Sequence, residues 1–380
     1  MSTLPTRYLS KYIKEDLSKK MVFIGGPRQV GKTTFAQSLL KKYHDTHPAY
    51  LNWDRDDHRK IIKDKLWPEN EPLIIFDEIH KFKNWRSFVK GIYDTLKNSH
   101  SFLITGSARL DLLQKGGDSL LGRYHYYRMH PFSLPELGYS KENLVKLFKR
   151  GGFPEPLLDK SERTLKRWHI QRIDRLVKID LRDFSYIREI EKIHQLAEEL
   201  PNRVGSPLSI KNLANDLEVD HKTAKNWVLT LENLYYCFTI PPYGAGESKI
   251  RAVKKEQKLY LWDWGQIEDE GLRFENMMAC HLLKYCHFHE DVFGERMELR
   301  YIRDTDKREV DFVVLKNKKP LFAVECKLNN ENLNSNILYF KERTKIPMFY
   351  QVSFVGSSRN ISDHIKIMNF SDFCKKENLV

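Results

Sequence analysis

Short apolar runs that alternate with amphipathic stretches open the chain. The runs "MVFIG", "PLIIF" and "SFLIT" have the length of buried strands, and "AYLNWD" predicts a further strand between the first two. Amphipathic helical stretches lie between these runs. Alternating strands and helices of these lengths predict an α/β domain whose parallel sheet is covered on both faces.

The middle of the chain has a different periodicity. Residues 161–200 place apolar residues at helical spacing, and residues 206–245 have the pattern of a helix-turn-helix with N-caps at Ser209 and Asp220. A following strand and loop would complete a winged helix. Four polar residues would then lie exposed at the start of its second helix, where DNA-binding proteins contact bases and phosphates: His221, Lys222, Lys225 and Asn226. Winged helices also serve as protein spacers, and both interpretations stay open.

Two short strands near the C-terminus carry charge where a sheet core should be apolar. Side chains alternate along a strand, so Glu325 and Lys327 share one face of "LFAVECK". A turn centred on Lys318 would place Asp311 opposite Glu325, with Cβ atoms ~5 Å apart. Carboxylates that close need a cation between them, and a divalent ion is the usual answer. The alternative is a surface hairpin whose charges pair in solvent.

The elements around this hairpin follow the order helix with Glu275, strand with Asp311, strand with Glu325 and Lys327, then a polar loop and a helix. That order is typical of a metal-dependent nuclease core. In it Asp311, Glu325 and the Cys326 carbonyl would hold Mg²⁺ or Mn²⁺, Glu275 would support them, and Lys327 would assist the attacking water.

A cluster of histidines and cysteines follows Glu275. Its members fall within one predicted helix: Cys280, His281, Cys286, His287 and His289. Zinc needs four ligands that converge tetrahedrally, and a helix directs these side chains differently. A structural role is therefore favoured over a zinc site.

A phosphate-binding loop follows the first strand. The segment matches G-x-x-x-x-G-K-[ST], in which backbone N–H groups and a helix N-terminus bind phosphates, Lys32 reaches the β/γ oxygens and Thr33 ligates Mg²⁺. The predicted ATP-binding residues of this loop and of two later strand ends are Gly26, Pro27, Arg28, Gln29, Val30, Gly31, Lys32, Thr33, Thr34, Asp77 and Ser107.

Acidic and polar residues end the next two apolar strands. Asp77 would hold Mg²⁺, and Glu78 would activate the attacking water. Thr105 and Ser107 would lie near the γ-phosphate at the carboxyl edge of the sheet. A helix N-cap is the alternative for Asp77. The Asp-Glu pair suits water activation, which disfavours a small-molecule kinase.

A Gly-Arg pair offers an arginine finger. Arg123 would act from a neighbouring subunit or domain, and the first of these would require a homo-oligomer. An ordinary surface arginine is the alternative. Arg109 and Arg128 are weaker candidates.

Composition narrows the class of protein. The 380 residues suffice for several cores, and no apolar run approaches the ~20 residues of a membrane span. Five scattered cysteines and the absence of a signal-like N-terminus predict a cytoplasmic protein. The net charge of +13 favours polyanionic partners such as DNA. Residues 1–140 hold 23 basic and 15 acidic residues, whereas residues 241–380 hold 23 and 21, so the excess is mostly N-terminal.

The sequence resembles prokaryotic ATP-binding proteins of the AAA+ superfamily that carry a C-terminal DUF4143 domain. The resemblance rests on "GGPRQVGKTT", "LIIFDEIHK", "FLITGSARL", "LLGRYHYYRMHPFSLPEL", "GGFPEPLL" and "ELRYIRDTDKREVDFVV…FAVECK". It implies a P-loop ATPase domain and a C-terminal domain similar to the PD-(D/E)XK nucleases. Arg109 departs from the small polar residue common in relatives.

These observations predict four parts: a P-loop AAA+ ATPase domain at 1–140, a helical connector at 141–205, a winged-helix-like part at 206–245 and a restriction-endonuclease-like α/β domain at 246–380. The expected function is a Mg²⁺-dependent ATPase coupled to DNA binding and metal-dependent DNA cleavage. The alternative is an ATP-driven regulatory or assembly switch whose nuclease-like domain binds DNA or protein without cutting.

Overall fold

The computed structural model describes residues 5–41, 46–106, 120–159, 161–176, 189–244, 256–329 and 332–380. The chain divides into two units, residues 1–131 and 132–380.

A five-stranded sheet forms the N-terminal unit. Its strands are β1 (Met21–Gly25), β2 (Tyr50–Asn52), β3 (Leu73–Asp77), β4 (Ser101–Thr105) and β5 (Tyr124–Arg128). Its helices are α1 (Ser10–Leu17), α2 (Lys32–Ser38), α3 (Asp56–Asp64) and α4 (Trp85–Leu96). The order is β2-β3-β4-β1-β5, and all pairings are parallel, as predicted. Every residue of β1 is buried, which is typical of a parallel strand covered on both faces.

Helices open the C-terminal unit. They are α5 (Leu134–Leu137), α6 (Lys141–Arg150), α7 (Pro154–Leu158), α8 (Glu162–Arg175), α9 (Ile190–Glu199), α10 (Ile210–Asp216) and α11 (His221–Asn233). Ser209 caps α10 and Asp220 caps α11 through their side chains, as the sequence predicts. Strands β6 (Cys237–Ile240) and β7 (Lys258–Leu261) form an antiparallel pair, which crosses the predicted boundary at residue 245.

A six-stranded mixed sheet completes this unit. Its elements are α12 (Glu270–Phe293), β8 (Met297–Arg303), β9 (Glu309–Lys316), β10 (Lys319–Lys327), α13 (Ser335–Arg343), β11 (Phe349–Ser353), β12 (Arg359–Ser362), β13 (Ile365–Asn369) and α14 (Phe370–Lys376). The order is β12-β13-β11-β10-β9-β8. The predicted sequence of helix, two strands and a further helix is confirmed by α12, β9, β10 and α13. Val313, Ala323, Ile337 and Phe340 belong to a buried apolar cluster that joins α13 to this sheet.

Candidate active sites

The phosphate-binding loop runs from the end of β1 to the start of α2. Gly26 has φ +136°, and a Cβ there would lie 2.3 Å from the carbonyl oxygen of Met129. Gly31 caps α2 with φ +95°. L-residues with side chains rarely adopt such angles, so both positions require glycine. The Lys32 ammonium donates hydrogen bonds to the carbonyl oxygens of Gly26 at 2.9 Å and Pro27 at 2.7 Å. The Lys32 side chain therefore hydrogen-bonds back to the backbone of the loop that precedes it.

Asp77 is the centre of a hydroxyl network at the carboxyl edge of the N-terminal sheet. One carboxylate oxygen accepts hydrogen bonds from the Thr33 hydroxyl at 2.8 Å and from the Tyr50 hydroxyl at 2.7 Å. The other oxygen accepts from Thr105. The structure therefore brings together Thr33, Asp77 and Thr105, which the sequence assigned to one site. Tyr50 was missed, although it lies in a strand that the sequence predicted. Burial raises the pKa of its hydroxyl, with the Asp77 charge as a second cause.

Glu78 stands directly after this network in a left-handed backbone conformation, with φ +56°. Its Oε2 lies 3.6 Å from both His80 Nε2 and Lys81 Nζ. That oxygen is buried and makes no hydrogen bond within the described part of the chain. Burial raises the pKa of Glu78, and the neighbouring Asp77 charge adds to the effect. A desolvated carboxylate of this kind has the properties of a general base.

The remaining predicted nucleotide-binding residues fall at different places. Arg28 and Gln29 are half-buried in the loop, Val30 is fully buried, and Thr34 lies in the first turn of α2. Ser107 and the weaker candidate Arg109 lie outside the described residues.

Arg123 lies at the edge of the sheet opposite the phosphate-binding loop. It immediately precedes β5, whose first residue Tyr124 pairs with Met21 at the start of β1. Its guanidinium forms two hydrogen bonds with Asp94, at 2.8 and 3.1 Å. The structure does not bring Arg123 to the loop of its own chain, so action from a neighbouring molecule stays a prediction. Arg128 instead ends β5 opposite Gly25, on the edge of the loop.

The C-terminal hairpin places Asp311 beside the Glu325–Lys327 segment. Val324 pairs with Phe312, and Glu325 and Asp311 are the next residues along the two strands. One Asp311 oxygen accepts a 2.8 Å hydrogen bond from the backbone N–H of Cys326. This hydrogen bond and the register together place Asp311 next to the strand segment that carries Glu325, as the sequence predicts.

Glu325 is a buried carboxylate with one satisfied oxygen. Its Oε1 lies 2.8 Å from the Lys327 ammonium and accepts a hydrogen bond from the Asn334 amide. Its Oε2 is buried and has no hydrogen-bond partner among the residues that the structure describes. Burial raises the pKa of Glu325 to about 8, and the Asp311 charge is the second cause. Lys327 lies on the same side of β10 as Glu325, as the sequence predicts.

Glu275 reaches the cluster from α12, but its direct partners were not predicted. Its Oε1 accepts a 2.7 Å hydrogen bond from the Tyr260 hydroxyl and lies 3.3 Å from the Lys258 ammonium. The same ammonium lies 3.8 Å from Asp311 Oδ1 and contacts Glu309. Burial raises the pKa of Glu275 to about 7, and the Asp311 charge adds to this. Sequence reasoning missed Lys258; its only signal was a lysine at the start of an apolar strand.

Charge is unbalanced in this cluster. Its charged groups are four carboxylates, two ammonium groups and the Arg303 guanidinium, which lies 3.3 Å from Glu309 Oε2: Glu275, Glu309, Asp311 and Glu325 with Lys258, Lys327 and Arg303. Fully ionised, it carries one excess negative charge. Among the described residues, no three His, Cys, Asp or Glu side chains converge on one metal position. Asp311 and Glu325 nevertheless suit a divalent cation, because hard cations prefer oxygen ligands and one Glu325 oxygen is without a hydrogen bond.

Two other predicted features have defined surroundings. His281 of α12 accepts a hydrogen bond from the backbone N–H of Leu134 through Nε2, while Nδ1 lies 2.7 Å from the Met277 carbonyl oxygen. Both ring nitrogens therefore contact backbone groups, which fits a structural role for this histidine.

At the start of α11 four predicted DNA-contacting residues are exposed: His221, Lys222, Lys225 and Asn226. Within the described ranges no helix combines the length and apolar character that a membrane crossing requires.

Family comparisons divide the chain into three parts. Residues 18–138 match the AAA domain family, and this range includes the phosphate-binding loop and the Asp77 network. Residues 141–267 match a domain of unknown function, DUF8612, and residues 270–373 match another, DUF4143. The predicted resemblance to AAA proteins with a DUF4143 domain is confirmed at this level.

Similar proteins span most of the chain. Two uncharacterized proteins of Methanocaldococcus jannaschii are 24% and 23% identical, covering 88% and 89% of this chain and 82% and 81% of their own lengths. Among solved structures, the Thermotoga maritima RuvB Holliday junction branch migration motor covers 61% of this chain and 87% of its own, at 17% identity and TM-score 0.32. The Aeropyrum pernix ORC1 protein in complex with DNA covers 73% and 94%, at 13% identity and TM-score 0.34.

Proposed function

We propose that the protein is a Mg²⁺-dependent ATPase whose C-terminal unit is a metal-dependent, nuclease-like domain that acts on DNA. The observation that carries the first half is the Asp77 network, which holds the Thr33 hydroxyl against a carboxylate beside the desolvated Glu78. Lys32 binds the β/γ oxygens of ATP, and Glu78 accepts a proton from the attacking water. Thr33 and Asp77 would hold Mg²⁺.

The observation that carries the second half is the buried pair of Asp311 and Glu325 with Lys327 beside it. A divalent cation held by these two carboxylates and the Cys326 carbonyl would polarise a phosphodiester and acidify a bound water. The Lys327 side chain is 42% exposed, so its ammonium can orient water or phosphate at the surface while it pairs with Glu325.

A basic groove in the same unit supports a polyanionic substrate. The groove encloses about 970 Å³, and its lining includes six basic residues: Arg296, Arg300, Lys318, Lys319, Arg343 and Lys345. Glu298 is the one acidic residue in that lining. Leu315 of β9 also lines it, four residues from Asp311, which is about 13 Å along an extended strand. A nucleic-acid backbone could therefore contact the groove and the carboxylates together.

Plasmid cleavage tests the two halves separately. Purified protein is incubated with plasmid and Mg²⁺ or Mn²⁺, with and without ATP, and phosphate release is measured in parallel. We expect Asp311→Ala to abolish cleavage while ATP turnover survives, and Lys32→Ala to abolish ATP binding. Absence of cleavage with intact ATP turnover would favour the regulatory switch. Retention of ATP binding in Lys32→Ala would overturn the ATPase assignment.

Oligonucleotide binding distinguishes two candidate DNA surfaces. Lys318→Glu/Lys319→Glu reverses charge in the groove, and Lys222→Glu/Lys225→Glu does so at the start of α11. Fluorescence anisotropy at several salt concentrations gives the affinity and its salt dependence. We expect the groove pair to weaken binding more and to reduce the salt slope. A larger effect of the α11 pair would assign DNA contact to the winged-helix-like part.

A further inference from the structure

We propose that Lys258 is an internal cation that takes the place of a second metal ion, so that the C-terminal site takes one divalent cation per chain. The inference rests on the metal site of the proposed function and deepens it. Lys258 would then limit the number of ions in the carboxylate cluster and leave Asp311 and Glu325 as the metal ligands.

Lys258 occupies the position that a bridging cation would take. The side chain is 1% exposed, so it cannot reach a substrate in solvent. Its ammonium lies 3.3 Å from Glu275 Oε1 and 3.8 Å from Asp311 Oδ1, and it contacts Glu309. A buried ammonium is stable only when such partners compensate for lost hydration. Three carboxylates around one ammonium do so.

The two sides of the cluster differ in how many partners their carboxylate oxygens have. On the inner side, Lys258 and the Tyr260 hydroxyl both contact Glu275 Oε1. On the outer side, Glu325 keeps a buried oxygen that makes no hydrogen bond with any described residue. Lys327 is half-exposed there and neutralises only one charge. Arg303 pairs with Glu309 at 3.3 Å, so one negative charge remains on the cluster. That charge and the Glu325 oxygen without a partner among the described residues leave a position for one divalent ion, between Asp311 and Glu325.

Replacing Lys258 with a neutral residue should open the inner side to a second ion. With Lys258 in place, Glu275, Glu309 and Asp311 do not form a metal position in the described part of the chain. Without the ammonium, the repulsion among these carboxylates would be relieved by a divalent cation that draws their oxygens together. Lys258→Arg keeps the charge and should keep the second ion out.

Mn²⁺ stoichiometry on the full, nucleotide-free chain tests this. Titration calorimetry and electron paramagnetic resonance count bound Mn²⁺ in the wild type, Lys258→Gln, Lys258→Arg and Lys327→Gln. Glu325→Ala sets the baseline for ions bound elsewhere. We expect one ion above baseline in the wild type, two in Lys258→Gln, and one in Lys258→Arg and Lys327→Gln.

The outcomes separate the inference from the proposed function. A wild type at baseline with one added ion in Lys258→Gln would support the role of Lys258 and reject the metal site of the native protein. An unchanged count in folded Lys258→Gln, or two ions in Lys258→Arg, would overturn the inference. If Lys258→Gln folds only with Mn²⁺, as judged by its melting temperature with and without EDTA, the inference is supported. Failure to fold in both conditions would overturn it.

Discussion

Asp311→Asn should stabilise the metal-free protein at alkaline pH although it removes a catalytic residue. In the folded state the pKa of Glu325 is about 8, against a usual 4.5, because burial and the Asp311 charge disfavour its ionised form. The difference corresponds to about 5 kcal/mol at about 1.4 kcal/mol per pH unit. Between pH 4.5 and 8 the folded protein retains a proton that the unfolded chain releases. Stability is therefore lost as pH rises through this window.

The substitution removes one source of this cost and keeps the local geometry. An asparagine oxygen can still accept the 2.8 Å hydrogen bond from the Cys326 N–H. Because a neighbouring like charge typically moves a pKa by about 1–2 units, we expect Asp311→Asn to raise the free energy of unfolding by about 1–3 kcal/mol at pH 8. The same substitution removes the attraction between Asp311 Oδ1 and the Lys258 ammonium, 3.8 Å apart, at every pH. The net gain should therefore fall as the pH is lowered and become a loss near pH 5.

Urea unfolding with EDTA, followed by tryptophan fluorescence at pH 5, 6.5 and 8, measures this difference. Asp306→Asn is the matched control, because the Asp306 side chain is 66% exposed and pairs with Arg308. It should show no comparable gain. Equal stability of Asp311→Asn and wild type at pH 8, or the same gain in Asp306→Asn, would refute the electrostatic reasoning.

Four further predictions concern the N-terminal unit. Glu78→Gln should retain binding of a fluorescent ATP analogue but slow phosphate release by about 10²–10⁴-fold; a parallel loss of binding would contradict a base role. Gly26→Ala should destabilise the N-terminal unit by about 2–4 kcal/mol, because its Cβ would clash with the Met129 carbonyl. Gly91→Ala, with no atom within 4 Å of its Cβ, should stabilise α4 by about 1 kcal/mol in the same denaturant titration. Tyr50→Phe loses a 2.7 Å hydrogen bond to a carboxylate and should cost about 1.5–3 kcal/mol, measured likewise; an unchanged midpoint would remove Tyr50 from the network.

In the C-terminal hairpin the sequence predicted which residues face each other but not the bulge between the turn and those residues. Alternation along β10 predicted the shared side of Glu325 and Lys327, and a turn centred on Lys318 predicted the pairing of Asp311 with Glu325. In the structure Lys319 pairs with Lys316, half a residue from that centre, and a bulge between Pro320 and Phe322 shifts the register back. Nothing in the local alternation signals the bulge, because it depends on packing.

Long-range topology explains what the sequence analysis missed. Lys258 reaches Glu275 and Asp311 only because β7, α12 and β9 come together in the fold. Strand β5 was not predicted, since its tyrosines and histidine lack the apolar run of the other strands. Its position beside β1 decides that Arg123 lies at the amino edge and Arg128 at the carboxyl edge. A Gly-Arg pair cannot reveal that geometry by itself.

The two carboxylate centres differ in how they are stabilised before any cation arrives. Asp77 accepts hydrogen bonds from three neutral hydroxyl groups, which satisfy its oxygens without adding charge. Glu325 has one ammonium partner and, among the residues that the structure describes, one oxygen without a hydrogen bond, next to a second carboxylate. Hydroxyl donors can turn toward other acceptors when a cation binds, whereas excess negative charge is relieved only by a cation or a proton. Chelation should therefore leave the stability of the N-terminal unit unchanged and lower that of the C-terminal unit.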